Sequence, residues 1–208
     1  MIKIDLRKER HVIIIEEQEK MRVSYQNTAE NEYKNSKING ERYIYIALLC
    51  YPDIVSRVFR VFTKCEYNHA SIGVSESNGG FYSYVTKGFR KEQPLQHPTF
   101  KQHEVPCKLY RLRITDEVYQ VTKTTLEEHE KKAHKFKYNY LGLFLCLLRI
   151  VWPMKNRYFC SQFVSEILSE VGAVPLEKHS ALYLPGDFTR MRELELFYTG
   201  FLSQLSYI

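Results

Sequence analysis

Long apolar runs are missing from this 208-residue chain. A membrane-spanning helix needs about 20 consecutive apolar residues. The most apolar stretch, Leu141 to Leu148, stops at Arg149. The N-terminal run Val12 to Ile15 is far too short for the apolar region of a signal peptide. Gly (9) and Pro (7) are too scarce for a low-complexity or collagen-like chain. The five cysteines, Cys50, Cys65, Cys107, Cys146 and Cys160, are odd in number and lack close regular spacing, which argues against a secreted disulfide framework. Four of them lie in apolar or strand-like runs, as buried free thiols do. The expectation is a soluble, reduced, cytoplasmic protein with no transmembrane segment. An excess of one charge is also slight: 30 Lys and Arg face 24 Asp and Glu, a net +6. That suits an anionic partner without the signature of a nucleic-acid binder. There is no Walker loop, no GxGxxG and no GxSxG, and no cofactor is expected.

What is present is ordinary globular material, 44% apolar and 26% charged, enough for one buried core. Residues 1–40 are mixed in charge and polar around Gln26 to Asn39, and read as an N-terminal arm or extension with a strand near 11–15. Regular patterning starts at Glu41, so residues 41–208 form the main domain. Arg42 to Cys50 is β-branched and aromatic, a buried strand. Ile54, Val58, Val61, Phe62 and Cys65 recur at helical spacing. His69 to Ser75 and Phe81 to Val85 read as two strands joined by the turn Asn78-Gly79-Gly80. Residues 87–113 hold seven Lys and Arg against Glu92 and Glu104, read as a solvated lysine-rich loop ending in a strand from Lys108 to Ile114.

Thr115-Asp116-Glu117 caps and starts a helix whose apolar face is Val118, Thr122, Leu126, His129, Ala133 and Phe136. A second helix is expected from Leu141 to Trp152, ended by Pro153 and sandwiched because it is apolar nearly all round. A third opens at Cys160, carries the stripe Phe163, Val164, Ile167, Leu168 and Val171, and stops at Gly172. A short helix after Pro185 and a last strand from Glu195 to Leu202 complete an α+β plan, helices grouped against an antiparallel sheet.

Cys160 is the informative residue. First-turn N–H groups and the helix dipole stabilise a thiolate at a helix start. A cysteine in that position is also an ordinary core residue, since Cys160 lies on the apolar stripe. A nucleophilic thiol needs a base. His69 is the candidate, opening a strand of small and β-branched residues, Ala70-Ser71-Ile72-Gly73. His129 and His134 are one residue too far apart for a zinc helix: five positions turn the helix by ~140°, so they read as a solvated face. Cys65 with His69, and His103 with Cys107, are each spaced by four and can be written as a zinc quartet, but they lack the Gly- or Pro-rich knuckles of zinc pairs, so no metal is expected.

Taken together, several segments resemble a known family. Tyr67-Asn68-His69-Ala70-Ser71-Ile72, then Phe81-Tyr82-Ser83, then Tyr138-Asn139-Tyr140-Leu141-Gly142, then Tyr158-Phe159-Cys160-Ser161-Gln162-Phe163-Val164 follow one another in the order found in the circularly permuted NlpC-type papain-fold hydrolases. That group includes YiiX-like and lecithin:retinol-acyltransferase-like enzymes, and the resemblance spans roughly residues 41–200. It implies a permuted papain-like fold, an antiparallel sheet with the Cys160 helix packed on it. It also implies a Cys160–His69 pair acting on amide or ester bonds, with an oxyanion site at the backbone N–H of Cys160 and help from Tyr158 or Tyr140. The position matching the family's third polar residue is Ser83, fourteen residues after His69. Serine accepts a hydrogen bond from imidazole but does not balance an imidazolium; either the Cys160–His69 dyad suffices, or Glu104 or His103 supplies that group from another strand.

Three functions compete on this reading. The first is a cysteine hydrolase that cleaves amide bonds in peptides or cell-wall fragments through an acyl-enzyme. The second is a thiol acyltransferase or lipid amidase working on an acyl lipid. The third is a non-catalytic binding module, favoured by the absence of a carboxylate at Ser83.

Overall fold

The computed structural model describes residues 40–52, 65–75, 80–92 and 104–204, with scattered positions between 27 and 35. The strand expected near 11–15, most of the helix expected over 54–65 and the Asn78-Gly79 part of the turn fall outside these residues.

At the centre lies β1 (Arg42–Leu49), flanked by β2 (His69–Val74) and β5 (Pro106–Ile114), both antiparallel to it. Its sequence alternates two apolar sets. Ile44, Ile46 and Leu48 join one core cluster; Tyr43, Tyr45, Ala47 and Leu49 join another. Successive side chains on a strand point to opposite faces, so a strand with no polar alternation is one buried on both. Outward from β2 come β3 (Phe81–Val85) and β4 (Gly88–Glu92). Beyond β5 lies β8 (Glu195–Phe201). The six strands are ordered β4-β3-β2-β1-β5-β8, with every neighbouring pair antiparallel. The α+β plan with an antiparallel sheet is therefore observed.

The strand β4 replaces part of the expected basic loop. Val85 pairs with Gly88, leaving a two-residue turn of Thr86 and Lys87. Gly88 has φ 103°, and a Cβ there would press on the Phe136 carbonyl. Phe89 is the one apolar side chain that anchors this basic strand, packing against Tyr84 and Phe163.

The first helix, α1 (Asp116–Lys131), begins as expected. Thr115 Oγ1 accepts from the Val118 N–H at 3.3 Å, and Asp116 and Glu117 occupy the first turn. It ends sooner than the apolar spacing suggests. Ala133–Lys135 form a 3₁₀ turn, and Phe136 reaches the core from the extended chain beyond it. His129 is not on a solvated face. Its ring stacks on Phe136 at 5.0 Å and its Nδ1 lies 2.9 Å from the Thr125 carbonyl.

Two short strands, β6 (Lys137–Tyr138) and β7 (Arg157–Tyr158), pair in parallel and close the neck of a long excursion. Within it lies α2 (Tyr140–Leu147). This helix corrects the expectation in two respects. It stops five residues early, because Arg149 takes a left-handed conformation (φ 60°) and the Ile150 N–H turns back to the Leu145 carbonyl. Ile150 and Val151 are β-branched and Trp152 precedes a proline, all poor helical continuations. Nor is it sandwiched: Leu141, Phe144 and Leu148 are exposed.

The last helix, α3 (Cys160–Glu170), packs Phe163, Val164, Ile167 and Leu168 into the cluster that lines one face of the sheet. Gly172, at φ 69°, ends it as the sequence indicates.

Candidate active site

The sequence places Cys160 at a helix start, and the surrounding hydrogen bonds fix where that start lies. Ser161 Oγ donates to the Tyr183 carbonyl at 2.7 Å, and Ser165 Oγ to the Ser180 carbonyl at 3.2 Å. These pin the polar side of α3 to the 3₁₀ turn Ser180–Leu182, while its apolar stripe grips the sheet. The first helical bond runs from the Phe163 N–H to the Phe159 carbonyl. The N–H groups of Cys160, Ser161 and Gln162 therefore have no acceptor within the helix.

His69 begins β2, opposite Leu49 of β1, and is buried. Its imidazole is hydrogen-bonded to Glu92 and interacts with the Cys160 side chain. Nε2 lies 3.0 and 3.1 Å from the two carboxylate oxygens of Glu92. Burial alone pushes the imidazole pKa down. The Glu92 charge and the hydrogen bonds with Cys160 and Glu92 outweigh that and raise it from 6.5 to about 10. The ring is thus held as imidazolium at neutral pH. Tyr51 flanks it with ring centroids 5.0 Å apart, and Asn68 clamps Tyr51 by accepting from its N–H and donating to its carbonyl.

The sequence pairs Cys160 with His69 as candidates, and the two side chains interact in the structure. It does not bring Ser83 to the imidazole. Ser83 Oγ donates at 2.7 Å to the Ala70 carbonyl, across the β2–β3 pair, and Nε2 is occupied by Glu92. Glu104 is exposed at the foot of β5, and His103 lies outside the described residues. Glu92 carries no local sign of this role, because the basic stretch around it reads as a loop and not as the strand β4. The signal available for that strand was a two-residue turn ending in Gly88, followed by Phe89 as a core anchor and an acid among bases.

The tyrosines also change places. Tyr158 packs its ring 5.1 Å from Tyr84 and hydrogen-bonds Glu166, so its hydroxyl serves the core. Tyr140 is exposed and donates to the Thr86 carbonyl at 3.3 Å. Tyr138 is the phenol beside the thiol. Burial, the Cys160 charge and Tyr140 together hold its pKa well above the usual tyrosine value. It therefore stays protonated and available as a donor.

The zinc quartet is not assembled. Cys65 packs against the cluster under α3, whereas Cys107 belongs to the cluster on the other sheet face. Among the described residues no group of three or more His, Cys, Asp or Glu is placed to hold a metal. Burial also pushes the thiols of Cys65, Cys107 and Cys146 up, the last two to about 12 and about 11. Arg190 lies near Cys65 and Lys178 near Cys146, but none of the three has a histidine among the groups that shift it.

A buried thiol at a helix N-terminus beside an imidazole that is hydrogen-bonded to a carboxylate has the parts for nucleophilic catalysis. Compared with family models, with curated protein sequences and with solved structures, the chain gives no significant match in any of the three.

Proposed function

We propose that this protein is a thiol hydrolase of the permuted papain-like class that cleaves amide bonds in peptides or cell-wall fragments. The observation that carries the reading is the His69 imidazole bridging Cys160 and Glu92. Glu92 orients the ring through Nε2 and balances the imidazolium, as a carboxylate does in a catalytic triad. This removes the feature that favoured a binding module, a triad without an acid.

In the reaction, the Cys160 thiolate attacks the substrate carbonyl carbon and forms a tetrahedral oxyanion. The backbone N–H of Cys160 and the Tyr138 hydroxyl stabilise that oxygen. His69 passes its proton to the leaving nitrogen, the C–N bond breaks and a thioester remains on Cys160. Water then attacks the thioester, giving its proton to His69, and the acid product leaves. An amine or hydroxyl in place of water makes the same site an acyltransferase. The exposed apolar surface of α2 favours an acyl-lipid donor for that second reading.

The test is alkylation of all five cysteines in the native chain, followed residue by residue by mass spectrometry. Cys160 should react fastest at neutral pH, and His69→Ala should remove its lead. Equal reactivity of Cys160 and the other four thiols would leave the triad without a nucleophile and return the binding-module reading.

A further inference from the structure

Apolar exposure on this molecule is concentrated in one place. Of the nine large apolar side chains exposed among the described residues, seven lie between Tyr140 and Trp152. Phe144 is 58% exposed, Leu148 56% and Trp152 54%. Isolated exposed apolar residues are normal, but a contiguous group marks a binding surface. The group is also built to stay in place. The β6–β7 pair closes its neck, Asn139 Oδ1 caps α2 through the Gly142 N–H at 2.9 Å, and Arg149 turns the chain so that Ile150, Val151 and Trp152 extend the same exposed segment.

The charge along this stretch of the chain is one-sided. From Lys131 to Ser165 the chain carries seven Lys and Arg and no Asp or Glu, although the whole chain has 24 acids to 30 bases. Lys132 is paired with Glu128, but Lys137, Arg149 and Lys155 are exposed in the immediate flanks of the apolar group. Apolar and aromatic side chains rimmed by cations are the composition of an element that lies in a bilayer interface, the rings at headgroup depth and the cations on anionic lipid. A second copy of the chain fits less well. Two like surfaces meeting face to face would set the same unbalanced cations against each other.

We infer that α2 and the loop to Pro153 form a docking surface for an anionic lipid bilayer. The surface inserts Phe144, Leu148, Ile150 and Trp152 to the depth of the headgroups, with Arg149 and Lys155 on lipid phosphates. Docking is peripheral. No helix among the described residues is long and apolar enough to cross a membrane. It requires no chemistry at Cys160 and stands whether or not the site above is catalytic. Its position does bear on that site, since β6 and β7 join the surface to Tyr138 and to the strand that runs into Cys160.

Trp152 is the chain's one tryptophan, so its emission reports this segment alone. The full chain is mixed with vesicles of phosphatidylcholine, and of phosphatidylcholine with phosphatidylglycerol. The expected result is a blue shift and co-sedimentation with the anionic vesicles, weakened by added salt. Lys155→Glu and Arg149→Glu should each lower the partition constant at least fivefold, since each cation near such a surface contributes about 1 kcal/mol. Phe144→Ser and Ile150→Ser should lower it further while leaving the circular dichroism unchanged. Cys160→Ser should bind as the native chain does, which separates this inference from the hydrolase reading. Emission that ignores anionic vesicles would overturn it. So would a blue shift that grows with protein concentration without lipid, which would make the occupant a second copy. So would a blue emission that vesicles leave unchanged and removal of residues 1–39 shifts red, which would make it the chain's own arm.

Discussion

His69 reaches its neighbours through two different parts of the chain: a carboxylate two strands away in the sheet and a thiol at a helix start. A buried ion pair contributes little to stability by itself, because desolvation offsets the attraction. Its conservation of one ring orientation is what a catalytic imidazole requires. Tyr138 belongs to the same scale. Its raised pKa keeps the phenol protonated. Tyr138→Phe should lower kcat on an amide substrate by about 10²–10³, the usual effect of removing one oxyanion donor, and leave the alkylation rate of Cys160 unchanged. Equal losses in both would make Tyr138 a structural support of the thiol. Of these residues Cys160 and His69 are legible in the chain because each lies in a recognisable local pattern. Tyr138 differs from Tyr140 by one helix entry: Asn139 caps α2, so Tyr140 is its first exposed residue while Tyr138 remains half-buried in the short strand pair.

At the scale of elements, α2 has only eight residues, a length at which isolated helices are marginal in water. Its cap therefore matters more than its propensities. A Cβ on Gly142 would collide with the Asn139 side chain that caps the helix. In most helices Gly→Ala is stabilising, by about 0.5–1 kcal/mol. Here Gly142→Ala should be destabilising by about 1 kcal/mol, the cost of a lost N-cap, read as a lower denaturation midpoint. A midpoint equal to or above that of the native chain would show that the cap is dispensable. The start of α1 and the end of α3 are legible because Thr115, Asp116 and Gly172 are residues with a local reason to be there. The end of α2 is not, since an arginine holds the left-handed position that glycine usually takes.

For the whole molecule, the His69 pair links folding to pH. The imidazole is raised from 6.5 to about 10, so the folded state binds a proton that the unfolded state releases. That contribution is complete below about pH 6.5 and is lost as pH rises towards 10. The buried thiols titrate from a reference value of 9.0 and are raised further, so they add nothing below that range. Chemical denaturation between pH 6.5 and 8.5 should thus show the native chain losing stability more steeply than Glu92→Gln. Parallel curves would mean that Glu92 does not hold the proton on His69.

The chain by itself determined its strands β1, β2, β3, β5 and β8 and the amphipathic helices α1 and α3, and it singled out the thiol and the imidazole as candidates. These follow from period, capping residues and turn chemistry, all properties of neighbours in sequence. The tertiary structure decided the rest. Glu92 instead of Ser83 meets His69 because the pairing of the three strands β2, β3 and β4, not sequence distance, sets which side chains converge. The apolar helix α2 lies exposed because no described element covers its outer face; periodicity records which residues are apolar and is silent on what stands opposite them.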